Sequence, residues 1–276
     1  MNTNSVQERA QEKLDAVTRK WWLYLLLLLP FFIPPYASRS YDPRETMGLT
    51  QQALSHPLIY TIPTLMPIAK AIPVVLIAGV MAWGNRVRRA FNGYVALLYV
   101  ALACFQNTAR TDTYGLVIIL SNLALFLVVA LLWGWEVIAE RNDFEPRQQP
   151  LWKWWVAPLA LLAFLAPIDT NTMSPDFSPM RLLTNESGLT YCMMTPVILA
   201  VLTLYHPTVN LAVLRISSFV GMIIGAMNML MWFVVIPSGW WMGVLHIPLL
   251  TISVYAFVLA RRPCRVRRGK CSGSEG

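Results

Sequence analysis

Lys70 is the residue whose surroundings most strongly imply chemistry. It stands at the centre of the apolar run Pro57 to Trp83, which is long enough to cross a bilayer. A cation at that depth costs roughly 3 kcal/mol or more, so its amine should serve a purpose or find a partner. Such a group can bind a carboxylate, a phosphate or a lipid head group, and less readily forms a Schiff base. Pro57, Pro63, Pro67 and Pro73 share the run. Each inner proline removes a backbone donor and crowds the carbonyl four residues back, which predicts a broken helix of the kind that lines transporter binding sites. No Asp or Glu falls inside an apolar run. The nearest candidates are Asp112, Asp169 and Glu186 at the expected outer ends, so a loop folds inward, the amine is neutral, or an anionic ligand supplies the partner. Should Pro57 to Pro67 be re-entrant or interfacial, Lys70 lies nearer the outer surface and snorkels.

The remaining reactive residues form weaker patterns. Without an intramembrane carboxylate, ion-coupled transport is disfavoured, and no phosphate-binding Gly-rich loop with a following Lys and Ser or Thr is present. His56 and His246 fall toward the expected outer side, with His206 at the inner end, and could pair around haem, but neither sits in a second-histidine motif and Pro57 follows His56 directly; no Cys and His set has zinc spacing. No cofactor or metal is expected, and the methionines of the second half read as packing residues. Asn122 and Asn228, each within an apolar stretch, are candidates for interhelical hydrogen bonds and, with Lys70, for substrate contact. Ser217, Gly221 and Gly225 recur at four-residue spacing and mark a close-approach helix face, serving either the monomer or a dimer. Asn185, Glu186 and Ser187 form a glycosylation triplet in an expected outer loop.

The elements that must position these residues follow from hydropathy. Of 276 residues 56% are apolar and only 13% charged, which excludes an ordinary soluble domain. The net charge of +8 sits between apolar runs rather than on a folded basic face, so nucleic acid is not an expected partner. The fold class expected is all-α, a polytopic transmembrane bundle of about eight spans. Residues 1–20 form a cytoplasmic amphipathic segment with Val6, Ala10, Leu14 and Val17 on one face. Residues 21–260 form the bundle, and 261–276 a basic cytoplasmic tail that carries Cys264 and Cys271. The spans run 23–33, 57–83, 91–105, 114–135, 152–168, 189–205, 211–236 and 240–260, with 136–150 as a solvated loop. This count leaves only Arg39, Arg44, Arg110 and Arg181 on outer loops, which places both termini in the cytoplasm by the positive-inside rule.

The function expected is that of a multi-pass protein of the cell membrane, a permease or solute-binding transport subunit built around Lys70. The alternative is a non-catalytic anchor or assembly subunit of a larger complex. An enzyme acting on lipid would need His, Asp or Glu clustered at one interface, which is not seen. The partners expected are the lipid bilayer and either other membrane subunits or a second copy of the chain.

Overall fold

The computed structural model describes residues 3–145, 149–170 and 172–262, with the backbone of 266–267 and 270–271. Among these, α1 (Thr3–Thr18) leads into α2 (Trp21–Leu28), which tightens into a 3-10 turn at Leu29–Phe32. A short strand β1 (Tyr36–Ala37) and α3 (Thr46–Ser55) precede α4 (Leu65–Trp83). Next come α5 (Arg88–Ala101), ending in a π turn at Leu102–Gln106, the strands β2 (Thr108–Thr111) and β3 (Gly115–Ile118), and α6 (Leu120–Ala139). The second half holds α7 (Val156–Leu165), β4 (Ile168–Asp169), β5 (Ser174–Pro175), α8 (Pro179–Thr184) and α9 (Tyr191–Tyr205). It closes with α10 (Leu211–Leu230) and α11 (Trp240–Arg261).

Of the described residues 76% are helical, an all-α architecture. Among the described residues four stretches are long and apolar enough to cross a membrane: Leu65–Arg86, Leu120–Ala139, Leu211–Val235 and Pro237–Arg261. Pro179–Leu189 with Tyr191–Tyr205 would make a fifth, although the two parts meet at 85°. Trp21–Phe32 and Leu151–Leu165 are apolar but shorter. These are the proportions of a membrane protein.

Packing is closest between α10 and α11, where Gly225 brings the backbones together: a Cβ there would lie 3.0 Å from the Leu250 Cα. Aromatic rings fill the centre, with Phe126 stacked on Tyr191 at 3.9 Å and Tyr99 edge-on to Tyr191. Trp133 of α6 is fully buried and donates to Ser217 Oγ of α10 at 3.2 Å.

The connecting segments gather at two ends. At one end the Asn85 amide donates to Asp143, Thr208 Oγ1 donates to the Asp143 carbonyl, and Lys153 Nζ reaches the His206 carbonyl. Gln11 of α1 bonds Asn210 and Arg261 of α11 reaches the Arg19 carbonyl at this same end. At the other end β1, β3 and β2 form an antiparallel sheet, Pro57 bridges to Ala109, and Trp241 donates to the Pro167 carbonyl. The first end carries most of the Lys and Arg residues.

The structure departs from expectation at three places here. The span expected from Tyr114 begins at Leu120, because Thr108 to Ile118 forms a hairpin in the register Ala109↔Val117. β-branched residues favour that pairing and Gly115 adopts a positive φ of 70° at its turn. Leu49 and Ala53 of α3 bury Ala109, Val117 and Ile119 beneath a small second core. The loop expected to be solvated after Glu136 buries Asn142 and Phe144. In α1, Val6 and Val17 are exposed while Gln11 and Thr18 are buried, so this helix docks through hydrogen bonds rather than through its apolar positions. Most of the expected basic tail, including Cys264 and the side chain of Cys271, lies outside the described residues.

Candidate functional site

Pro57 and Pro63 precede a helix rather than interrupt one, and Pro67 lies in its first turn. Pro57 opens a 3-10 turn at Leu58–Thr61 and Pro63 lies in the turn that follows, so α4 starts at Leu65 and only Pro73 lies well inside it. Lys70 therefore occupies the second turn, toward the end that carries the sheet. It does not snorkel, being only 5% exposed. Its ammonium donates to the Leu182 carbonyl, lies 3.5 Å from the Leu165 carbonyl, and sits 5.3 Å from the centre of the Phe164 ring.

Both carbonyls lie near helix ends, where the last turn leaves acceptors without intrahelical donors. Leu165 is the last residue of α7, which Ala166 closes in a left-handed conformation. Leu182 belongs to the last turn of α8. The ammonium thus meets the negative ends of two helices, a favourable placement for a cation. It forms no ion pair among the described residues.

Residues 179–189 lie across Lys70 as a lid. Asn185 Nδ2 donates to the Leu165 carbonyl at 2.7 Å and to that of Ala166 at 3.0 Å, while Ser187 Oγ donates to the Phe164 carbonyl. Gly188 packs on the α4 backbone so closely that a Cβ would lie 2.8 Å from the Ala69 carbonyl carbon and oxygen. Only glycine admits that approach. Arg181 ties the outer side together through Asp176 at 2.9 Å and Asp169 at 3.5 Å. The Ser178 backbone N–H, followed by its hydroxyl and by Arg181, holds the Asp176 carboxyl below its usual range. A cavity of about 370 Å³ opens along this segment, lined by Asp176, Arg181, Thr184, Asn185 and Glu186 among others. The segment is thus covered by protein on the α4 side and bordered by a cavity on the other.

The other expected site residues do not converge on Lys70. Asn228 donates to the Ile224 carbonyl within its own helix and approaches Cys192 Sγ at 3.8 Å. Asn122 lies in the first turn of α6, partly buried. Gly221 faces Ser253 and Thr195, Gly225 faces Leu250, and Ser217 accepts from Trp133, so this face packs within the chain. His246 is buried against the Met242 carbonyl, His56 is exposed, and His206 lies at the opposite end. Among the described residues no three His, Cys, Asp or Glu side chains group as metal ligands. Asn185, the acceptor of the glycosylation triplet, is buried with its amide committed to carbonyls.

A second polar centre occupies the basic end. Glu136 is fully buried: Oε1 accepts from the Asn142 backbone at 2.6 Å and from Asn92 at 3.4 Å, while Oε2 accepts from Asn210 Nδ2 at 2.7 Å. Asn142 bonds Asn92 and the Asn210 backbone, and Asn210 caps α10 through the Ala212 N–H at 3.1 Å. Gln11 joins Asn210 to Trp135. Beside them the buried Arg215 meets Asp15, Thr18 and the Ala260 carbonyl. A buried carboxylate survives when donors satisfy it, and amides do so here without a cation in direct contact.

No match emerges. Protein families, curated proteins and solved structures all lack a significant counterpart to this chain. The residues alone therefore carry the functional argument. One sequence signal foreshadowed the second centre: Asn210 stands directly before an apolar run, a helix-capping position. Its bond to Glu136 joins residues 74 positions apart and has no local signature.

Proposed function

We propose that this chain is a multi-pass protein of a cell membrane that binds an anionic solute at Lys70, as a permease or the solute-binding subunit of a transporter. It crosses eight times, with α2, α4, α5, α6, α7, α9, α10 and α11 as the passes and both termini on the cytoplasmic side. The segregation of the connecting segments into a basic and a less basic end supports this topology. The function rests on one observation: among the described residues a buried ammonium has only neutral carbonyls as hydrogen-bond partners, with the Glu186 carboxylate acting on it from the lid without an ion pair, and a cavity borders that lid. A carboxylate or phosphate would replace neutral acceptors with a charged one, and such hydrogen bonds are about twice as strong. Opening the lid toward the cavity would admit it.

The test uses Ser187→Cys beneath the lid, with Lys70 retained, in a chain lacking Cys104, Cys192, Cys264 and Cys271, probed from each side with a membrane-impermeant thiol reagent. Labelling slowed by a panel of small carboxylates and phosphates supports the solute pathway. Absence of labelling from either side, in a protein shown to fold, sinks it. An anchor or assembly subunit is then the better reading, one favoured by the filled contacts at Gly188, Gly221 and Gly225 and by the tethering of α1 to the bundle.

A further inference from the structure

At the basic end the start of α2 meets the last turn of α11. The Arg261 guanidinium lies 4.8 Å over the Tyr24 ring and 5.1 Å over that of Phe257, and donates to the Arg19 carbonyl at 3.4 Å. This fixes Arg261 beside the corner formed by Arg19 and Lys20, and all three side chains are exposed. None forms an ion pair among the described residues. The acid one turn earlier, Asp15, is engaged by the buried Arg215 at 3.2 Å. Immediately past the corner α2 exposes Trp21 and Trp22, followed by Leu25, Leu26 and Leu29. Cations, then indoles, then leucines is the order in which a phospholipid presents phosphate, glycerol backbone and acyl chain.

We propose that this corner is a binding site for an anionic phospholipid, with Arg19, Lys20 and Arg261 holding its phosphate and α2 its acyl chain. Two features separate it from a merely charged surface. Cation–π contacts and the Arg19 carbonyl order Arg261 in advance, so less side-chain freedom is lost on binding. The apolar face continues directly from the cations, which favours a lipid over a soluble anion. By contrast, the exposed Arg86 and Arg89 flank Arg88, which is paired with Glu140.

The experiment titrates the full chain in non-ionic detergent with short-chain phosphatidic acid, short-chain phosphatidylcholine and inorganic phosphate, reading bound lipid by native mass spectrometry. The double variant R19Q/K20Q leaves the main-chain acceptor of Arg261 in place; R86Q/R89Q removes the same charge elsewhere. Phosphatidic acid should bind in preference to phosphatidylcholine, about 30-fold more weakly to R19Q/K20Q and unchanged to R86Q/R89Q. Equal binding by both variants would overturn the proposal. So would equal loss in both, which reports net charge alone, or displacement by inorganic phosphate at matched concentration, which reports a soluble-anion site.

Discussion

Replacing Gly188 with alanine should open the lid over Lys70. The added methyl would stand 2.8 Å from the Ala69 carbonyl carbon and oxygen, about 0.6 Å inside ordinary contact, and neither atom can rotate away. The lid must therefore move. Asn185 bonds the Leu165 and Ala166 carbonyls at 2.7 and 3.0 Å, and a shift of that size stretches both toward or beyond hydrogen-bonding reach. Overpacking of this kind costs about 1–3 kcal/mol, which raises the open population about 5- to 150-fold. Ser187 supplies the reporter, since it is 3% exposed beneath the lid and cysteine nearly matches its size. In the chain without its four native cysteines, the labelling rate of Ser187→Cys by an impermeant thiol reagent is compared with and without Gly188→Ala. A rate raised within that range, at a global melting temperature lowered by only a few degrees, fits a local opening. An unchanged rate in a folded double variant would refute the reasoning, because the close approach at Gly188 would then not be what holds the segment down.

Asn210→Ala removes a hydrogen bond to the buried Glu136 carboxyl group, worth about 1–3 kcal/mol, and a helix cap worth about 1 kcal/mol. Thermal unfolding in detergent should therefore fall by roughly 10 °C. His206 is held neutral: burial first, then the Lys153 and Arg262 charges, push its pKa from 6.5 down to about 4 despite a hydrogen bond involving the Leu259 backbone. The unfolded chain takes up the proton first, so this contribution to stability is complete above the ordinary value and is lost as pH falls from about 6.5 to about 4. Melting temperatures at pH 7.5 and 5 should differ less in His206→Gln than in the parent. Gly221→Ala brings its methyl 2.4 Å from Ser253 Oγ, so adding Ser253→Ala should restore stability. At Gly225→Ala the nearest contact is the Leu250 backbone, and no single partner substitution should restore it.

The sequence shows the helical membrane class plainly because apolar runs and the sorting of basic residues are local signals summed over many positions. It shows Lys70 as the exceptional charge for the same reason. Its surroundings are less legible. That Pro57 and Pro63 precede α4 while Pro67 falls in its first turn depends on where the first intrahelical bond forms, and four prolines within a hydrophobic run do not fix that point. The partners of Lys70 are main-chain carbonyls more than 90 residues away, and a carbonyl has no sequence signature. The hairpin at Thr108 to Ile118 merges into an apolar run whose composition suits either a strand or a helix. Glu136 reads as the first residue of a charged loop because the asparagines that bury it, Asn92, Asn142 and Asn210, belong to three separate segments.

That arrangement also sets an order of assembly during synthesis. Glu136 enters the membrane with α6, yet its partner at 2.7 Å, Asn210, is made 74 residues later. At ordinary elongation rates the interval is on the order of 4–15 s. Gln11 meets Trp135 once α6 is made, but waits longer still for Asn210, 199 residues further along. For those seconds the carboxylate must stay protonated, remain at the water boundary, or borrow a partner from the insertion machinery. The emerging chain is therefore least settled between its sixth and tenth helices, and α1, first held by Trp135 of α6, completes its contacts only as the last helices arrive.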